Sequence, residues 1–410
     1  MDANDTPSTG TASATVAAHG RKAGIAQGLT IALASFLPVL AIVSLAPAVP
    51  SLMGHFKDVP NSQILVPMMV TAPGIMIAIF GPMAGWATDK IGRRNLLLLA
   101  TFVYGFFGLA PMFMTDLLPI FVSRFGVGLS EAVLLTVLNT LLADYFDLKQ
   151  RRLWLTVQGV IGPVLGTITI TAAGFLTEKM WNGAFLIYTS AFVIFLAMLV
   201  FMFEPGKREA HADEAPVVTT GFPWAKVMGI CATTLFASIL YYVFIINGGL
   251  AFQAVGADSS GKLGILISIA SVGVPLGALI FGALSRTWKA MALIGTFMAF
   301  WAVGMIGMGF STDPMVMTAF AISQQIGAGM AVVTLIYWVS QAMSPQHRGR
   351  GMGFWASSFF LGQFISPAIV AVLRGAIGGD ILKTFAIMGG VAGIGAVVAF
   401  IQAAKKNGEV

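Results

Sequence analysis

The stretch GPMAGWATDKIGRR, Gly81–Arg94, decides how this chain is read. A long apolar run leads into it, and another, Asn95–Met114, leads out. Two helices leaving a membrane on one face need such a connector: a Gly-spaced helix end, an acid, then basic residues at Lys90, Arg93 and Arg94. Apolar runs and charged connectors alternate through the rest of the chain. Of its 410 residues, 57% are hydrophobic and 10% are charged, whereas soluble domains are about a quarter charged. Its 47 glycines suit helices that approach closely in lipid through small contact residues.

A helix needs roughly 20 mostly apolar residues to cross a bilayer. Twelve runs qualify, centred near Leu40, Met76, Phe106, Leu134, Thr167, Phe195, Leu240, Ser271, Ala302, Met330, Leu361 and Ala392. No long two-residue alternation points to a barrel. One charged, Pro-containing segment, 204–223, separates six runs from six. The expected fold is an all-α membrane protein with twelve transmembrane helices in two pseudo-symmetric six-helix bundles. The bundles are 24–203 and 224–404, joined by a cytoplasmic linker at 204–223. Short cytoplasmic tails are expected at 1–23, disordered, and at 405–410. The first tail is Ser/Thr/Ala-rich and lacks the apolar core and cleavage site of a signal peptide.

The halves echo each other, as duplicated transporter folds do. GALIFGALSRTWK from Gly277 parallels GPMAGWATDKIGR from Gly81, with Ser285 in place of Asp89. QQIGAG from Gln324 parallels SRFGVG from Ser123. Charge then sets orientation. With a cytoplasmic N-terminus, 17 of the 23 basic residues fall on the cytoplasmic side. The opposite side holds Lys57, Lys179, Lys262, Arg374 and Lys383. This bias places both termini in the cytoplasm.

The spacing Gly81, Gly85, Asp89, Gly92, Arg93, Arg94 resembles the signature loop between the second and third helices of the major facilitator superfamily. That resemblance implies a transporter with two six-helix bundles and a small-molecule substrate, needing no cofactor. It also implies a gate. Asp89 and Arg93 match the signature loop, and Asp144 resembles the acid at the cytoplasmic end of the family's fourth helix. In the family these charges latch the bundles together while the transporter is open outward. Setting topology would require only Lys90, Arg93 and Arg94. Gly81, Gly85 and Asp89 go beyond that need, so gating is the expected role.

Arg124 is the one basic residue inside a span, and Glu131 is the exception among the acids. Seven helical residues place them on one face, about 10 Å apart along the axis. An unpaired charge at mid-membrane costs at least ~2.5 kcal/mol, so such residues face a bundle interior or a watery cavity. Desolvation disfavours the charged carboxyl, and a nearby guanidinium opposes that effect. Moving the arginine, or capturing it with an anionic substrate, would switch the carboxyl's protonation and couple transport to protons. The alternative is a structural polar pair that fixes helix packing. SRFGVGLSEA, with Arg124, Gly128 and Glu131, also resembles the fourth helix of the anion–cation symporter and Spinster-like branches. There the matching arginine and glutamate are linked to substrate binding and proton coupling.

Two features depart from those branches. They, and many drug–proton antiporters, carry an acid in the first span, and Ile25–Val49 contains none. The first helix instead ends SLAPAVPSLMGHF, resembling the drug-efflux side of the superfamily. GVIGPVLG, Gly159–Gly166, superficially resembles the Gly-Pro signature of antiporters. Pro163, however, lies only eleven residues after Arg152. The family signature sits nearer the far side, where this chain reads TITITAAG, Thr167–Gly174. Close packing through Gly162 and Gly166 with a proline kink is therefore the expectation.

Polar and aromatic groups inside spans are candidate cavity residues: Asn139, Gln158, Tyr241, Tyr242, Asn247, Gln324, Gln325, Tyr337, Trp338, Gln341 and Gln363. Through the echo, Gln325 takes the position of Arg124, so the Gln324–Gln325 pair is expected to face the same central space. Amides also serve as glue between helices, and span-end aromatics as interfacial anchors. No phosphate-binding loop ending in Lys-Ser/Thr appears, and the four His residues lie outside the spans, which argues against a membrane metal site. One cysteine, Cys231, precludes an internal disulfide. The basic residues sit between apolar runs rather than forming a nucleic-acid-binding stripe.

The expected protein is a monomeric, proton-coupled exporter of amphipathic compounds in a bacterial inner membrane. The rival is a proton-coupled importer of an organic anion held by Arg124. A reading of another class is a membrane sensor or intramembrane enzyme on the same fold. An intact gating loop argues against the sensor; the lack of a convergent nucleophile and base argues against the enzyme.

Overall fold

A computed structural model describes residues 23–205 and 221–405. The expected tails, apart from Ala23 and Lys405, and the middle of the expected linker lie outside the described residues. Twelve helical segments of 19 to 31 residues are long and apolar enough to cross a membrane. They are α1 (Ile25–His55), α2 (Ser62–Ala84), α3 (Arg93–Phe113), α4 (Leu117–Tyr145), α5 (Lys149–Lys179) and α6 (Gly183–Phe201) in the first half. The second half holds α7 (Trp224–Ala254), α8 (Ser260–Leu284), α9 (Ala290–Gly309), α10 (Pro314–Ala342), α11 (His347–Ala376) and α12 (Ile381–Lys405). Each centre expected from the sequence falls inside one of them, and no strand occurs among the described residues. Twelve crossings return the chain to the side on which α1 begins, here the near side; the opposite is the far side.

Local chemistry sets the ends and the breaks. Asp147 Oδ1 accepts from Gln150 N–H at 2.8 Å and caps the helix entering α5, satisfying an amide with no intrahelical partner. Asp313 does the same for α10, and Asp380 for α12. At Asp380 the Lys383 backbone amide, aided by its ammonium, holds the carboxyl below its ordinary value. Prolines break α1 into Ile25–Ala34, Leu37–Val43 and Val49–His55, with a tight 3₁₀ turn at Ala46–Ala48. Each proline removes a donor and crowds the preceding turn. In α8 the pieces Ser260–Ser271 and Gly273–Leu284 meet just before Pro275.

The halves share one pairing scheme. In the first, α4 packs on α2 and α3, and α3 on α6; in the second, α10 packs on α8 and α9, and α9 on α12. Between halves, α2 meets α11, α5 meets α8, and α1 meets α7. At the last contact a Cβ on Gly249 would come within 3.1 Å of Ala46 O and 3.2 Å of Pro50. Ser357 Oγ of α11 donates to Ala78 O of α2 at 2.9 Å.

Pro163 lies inside α5 as expected, yet close packing is found elsewhere. A Cβ on Gly162 would meet nothing within 4 Å, and one on Gly166 only Phe36 at 3.9 Å. The close approach on α5 is at Gly174, against α8.

At the α2–α4 crossing, a Cβ on Gly128 would strike the Pro73 carbonyl and approach Pro73 Cα to 2.5 Å. Backbone cannot yield there as a flexible side chain would. Gly128→Val should therefore cost about 1–3 kcal/mol through overpacking, seen as a lower melting temperature in detergent.

Candidate functional site

The two charges of α4 are both fully buried, but they do different things. Arg124 lies two turns in from the far end, beside the end of α3. There α3 tightens from α-helix to a 3₁₀ turn at Ala110–Phe113. Pro111 has no N–H to give Phe107 O, which is thereby left without its helical donor. Arg124 Nη2 supplies the missing bond at 2.5 Å and reaches Gly108 O at 3.3 Å. Its Nε and Nη2 also reach Ser123 Oγ, at 3.3 and 3.1 Å. The guanidinium is enclosed by the rings of Phe185 and Tyr188 on α6, 5.1 and 5.3 Å from their centroids. A cation so placed gains from both the carbonyls and the ring faces.

The aromatic surround reaches further. Tyr104 and Tyr188, with centroids 5.3 Å apart, donate to Leu37 O at 2.6 Å and Ala41 O at 3.2 Å. Those carbonyls belong to the middle piece of broken α1. The guanidinium and its tyrosines thus fasten α1, α3 and α6 to α4.

Glu131 sits at the midpoint of α4. It is fully buried, and neither carboxyl oxygen has a hydrogen-bond partner among the described residues. No ion pair joins it to Arg124 among those residues, although the two lie within Coulombic reach of each other and of Tyr104 and Tyr188, and Tyr242 lies within reach of Glu131. Buried polar groups are nearly always satisfied. A carboxyl without partners at the centre of a membrane helix calls for a function.

The other candidate residues separate into groups. Tyr241 and Tyr242 of α7 stack edge-on at 4.9 Å and meet Phe359 of α11 at 5.6 and 5.8 Å. Asn139 is exposed on the near half of α4 and donates to Leu135 O; Gln341 is exposed near the same end of α10. Gln158 links α5 to α1 through Ser35 Oγ at 3.2 Å. Asn247 is buried and bonds back to Val243 O. Gln324 and Gln325 diverge: the first abuts Gly304 of α9, the second Gly273 of α8. They lie at helix–helix interfaces rather than side by side. Gln363, fully buried with neither amide atom partnered among the described residues, abuts Gly74 of α2. Tyr337 pairs with Phe281 at 6.0 Å, and Trp338 is half-buried. No group of three possible metal ligands occurs among the described residues.

On the near side the expected gating charges form part of a larger clamp. Arg93 Nε lies 3.4 Å from Asp144 Oδ2. Glu204 covers the start of α3: its two oxygens accept from Arg93 N–H and Arg94 N–H, each at 2.8 Å. In return, Arg94 donates to Met202 O at 2.8 Å and Leu199 O at 3.1 Å at the end of α6. Anion at one helix start and cation at another's end is the arrangement the helix dipole favours. Tyr145 adds mutual hydrogen bonds with the Phe203 backbone. Gly81 faces open space, with nothing within 4 Å of an added Cβ. Gly85 and Asp89 are in the helix that continues α2 to Ile91, and their side chains lie outside the described residues.

Sequence reading missed Glu204, Arg94 and Tyr145 as partners, because Glu204 reads as the first residue of a polar linker. It also missed Pro111, whose position at the end of an apolar run signalled an orphaned carbonyl.

Two helical halves with one pairing scheme, meeting across a central interface, define the class of twelve-helix, two-bundle membrane proteins. The sequence pattern of the Major Facilitator Superfamily matches residues 31–257 and again 230–409, and the chain belongs to that family. It is 26% identical over 307 residues to a putative multidrug resistance protein, MdtD, of Salmonella heidelberg (strain SL476), covering 68% of this chain and 60% of that one. The MdtD of Salmonella newport (strain SL254) is 26% identical over 236 residues, 52% of this chain and 49% of its own. The chain thus spans about half to three-fifths of these relatives. Solved structures share the fold. The nucleoside transporter NupG gives a TM-score of 0.73 at 15% identity, covering 92% of this chain and 98% of that one. A bacterial homologue of the lysosomal transporter Spinster, inward-facing and unoccupied, gives 0.70 at 14%, covering 92% and 95%. A D-xylose–proton symporter gives 0.73 at 14%, covering 92% and 97%.

Two substitutions separate the roles of these groups. Arg124→Met should destabilise the protein by about 3 kcal/mol, because buried carbonyls lose a charged donor. Thermal unfolding in detergent checks this, and Arg124→Lys should recover only part of the loss. Glu204→Ala should cost about 1–2 kcal/mol by uncapping α3. Hydrogen exchange should then quicken at the amides of Arg93 and Arg94.

Proposed function

We propose that the chain is a secondary transporter working by alternating access, which exports small amphipathic molecules in exchange for protons. In this reading it is a monomer in a bacterial inner membrane. The near side is taken as cytoplasmic, the orientation that the bias of basic connectors supports. The observation that carries the proposal is Glu131: central, fully buried, and without a hydrogen bond to either oxygen among the described residues. A carboxylate in such surroundings costs several kcal/mol when ionised and alone. Binding a proton removes that cost while the site is shut; wetting the site from either side lets the proton leave. A group that is alternately buried and wetted in this way can carry protons across.

The surroundings of Arg124 bear on the choice between export and import. An importer of organic anions needs its guanidinium at the substrate. Here the guanidinium is fully buried within the first half, turned to the carbonyls of α3 and covered by two rings. The geometry therefore favours export with Glu131 as the proton site and Arg124 as a structural cation. The likeness to proteins named for multidrug resistance supports the same direction. Exposed Asn139 and Gln341 on the near halves of α4 and α10 fit a cavity entered from the cytoplasm, because lipid would not accommodate them cheaply.

Purified protein in liposomes under an imposed pH gradient tests the reading, with a panel of amphipathic cations and neutral compounds as substrates. Glu131→Gln should abolish proton-driven uphill transport while leaving counterflow exchange at half or more of the parental rate. Full proton-driven accumulation by that variant would remove Glu131 from the coupling role. Anion uptake lost in Arg124→Lys, with folding intact, would restore the importer.

A further inference from the structure

The second half meets the near surface with cations and no acid of its own among the described residues. Its described acids are Asp258, Asp313 and Asp380, each in a far-side connector. Two of its helices begin at the near surface, α7 at Trp224 and the helix of α11 at Pro345, and they pack on each other. Neither has a capping side chain or an acid in its first turn. A helix start carries partial positive charge. The backbone here therefore adds to the basic side chains instead of offsetting them.

An aromatic cluster fixes one of these bases. The Arg350 guanidinium lies over the Phe222 ring, 4.3 Å from its centroid. Phe222 meets Trp224 at 4.8 Å and Phe354 at 6.0 Å, and those two rings meet each other at 5.5 Å. Arg350 and Phe354, four residues apart, share one helix face. Stacking occupies the flat face of a guanidinium and leaves its N–H edge for oxygen. Arg350 makes no hydrogen bond or ion pair among the described residues, and exposed Lys226 and Arg348 make none either. Trp224 is 52% exposed and Phe354 38%. Exposed rings at the start of a span lie at the depth of lipid headgroups. At that depth the unspent donors of Arg350 meet phosphate.

We propose that the near ends of α7 and α11 bind the headgroup of an anionic phospholipid. The edge of Arg350 takes the phosphate, as a planar fork suits two of its oxygens. Lys226 and Arg348 add charge, and Trp224 with Phe354 packs against the glycerol and the first methylenes. A zwitterionic head is less suited, because its ammonium finds no carboxylate of the second half here. The segment 206–220 carries Glu209, Asp213 and Glu214, but Lys207 and Arg208 offset two of them. It is therefore a weaker counter-charge than a lipid phosphate. The site needs a bilayer and no substrate, so it stands apart from the transport reading.

The test titrates delipidated protein in detergent with phosphatidylglycerol or phosphatidylethanolamine, and counts bound lipid by native mass spectrometry. Phosphatidylglycerol should bind the more tightly. Arg350→Gln should weaken its binding about fivefold, and Lys226→Gln combined with Arg350→Gln about 25-fold, the weight of one surface cation each. Far-side Lys383→Gln should leave binding unchanged, and every variant should melt as the parent does. Equal affinity for the two lipids, or parental binding by the double variant, would overturn the site. Displacement of phosphatidylglycerol by an equal concentration of inorganic phosphate would make it a site for the free ion and overturn the lipid. Phosphatidylglycerol binding seen only after Glu209→Gln, Asp213→Gln and Glu214→Gln together would assign the face to the linker, with the same consequence.

Discussion

A guanidinium with no water to face must find acceptors in the chain, and Pro111 creates one. By withholding an N–H from Phe107 O it leaves a carbonyl that Arg124 fills. A neutral helix end inside the membrane would leave that carbonyl unpaired, and an arginine elsewhere on α4 would be an unmet charge. Each needs the other. The rings that enclose the cation then reach α1 through Tyr104 and Tyr188. One local break in α3 thus organises four helices of the first half. Two turns away Glu131 has no hydrogen-bond partner among the described residues, and neither has Arg124 Nη1.

Contacts within the first half and contacts between the halves differ in chemistry. Near the first half's exit, charges and helix ends are matched: Glu204 on the start of α3, Arg94 on the end of α6, and Arg93 beside Asp144. The halves meet through glycine and hydroxyl, at α5–α8 on the far side and at α2–α11 closer to the near side. The first kind keeps a bundle rigid, since every partner named belongs to one half. The second joins two bodies by a few bonds of small worth. The Arg93–Asp144 contact, one element of the expected family latch, joins two helices of the first half.

The fold was legible from the sequence because crossing a bilayer is a matter of length and hydropathy. Thr167 and Ser271 marked spans as surely as Leu240 did, since a few hydroxyls do not spoil an apolar run. The proline inside α5 was legible as well. What surrounds it was not: GVIGPVLG looks like a packing motif, yet Gly162 and Gly166 face space, and the tight contact is at Gly174. A glycine is small whether or not a neighbour exploits it, and only the rotation of the helix decides which one is used. The charges on α4 were legible by their rarity. Their separation was not, because helical spacing places Arg124 and Glu131 on one face without saying that a proline on α3 has claimed the first. Gln324 and Gln325 show the same limit. Adjacent residues point about 100° apart on a helix, so the pair is divided between α9 and α8.

The echo between halves carries one more consequence. Arg124 and its neighbour Ser123 occupy the slot beside α3 at Phe107 and Gly108, and the matching slot beside α9, at Gly304, receives Gln324. There the amide is fully buried with neither polar atom bonded among the described residues. In the echo Gln324 aligns with Ser123 and Gln325 with Arg124, so the second copy carries two neutral amides where the first has a hydroxyl and a charge. Were both slots cationic, Glu131 would face positive potential from both halves, and its proton would be held less firmly whichever way the halves were tilted. With one slot neutral, only the first half contributes a cation fixed relative to the carboxyl. The second half then alters the environment of Glu131 mainly by admitting or excluding water and substrate. On the proton-coupled reading proposed above, a change in contact between the halves would change the carboxyl's solvation without moving its charged neighbour, and solvation is the variable on which proton release would depend.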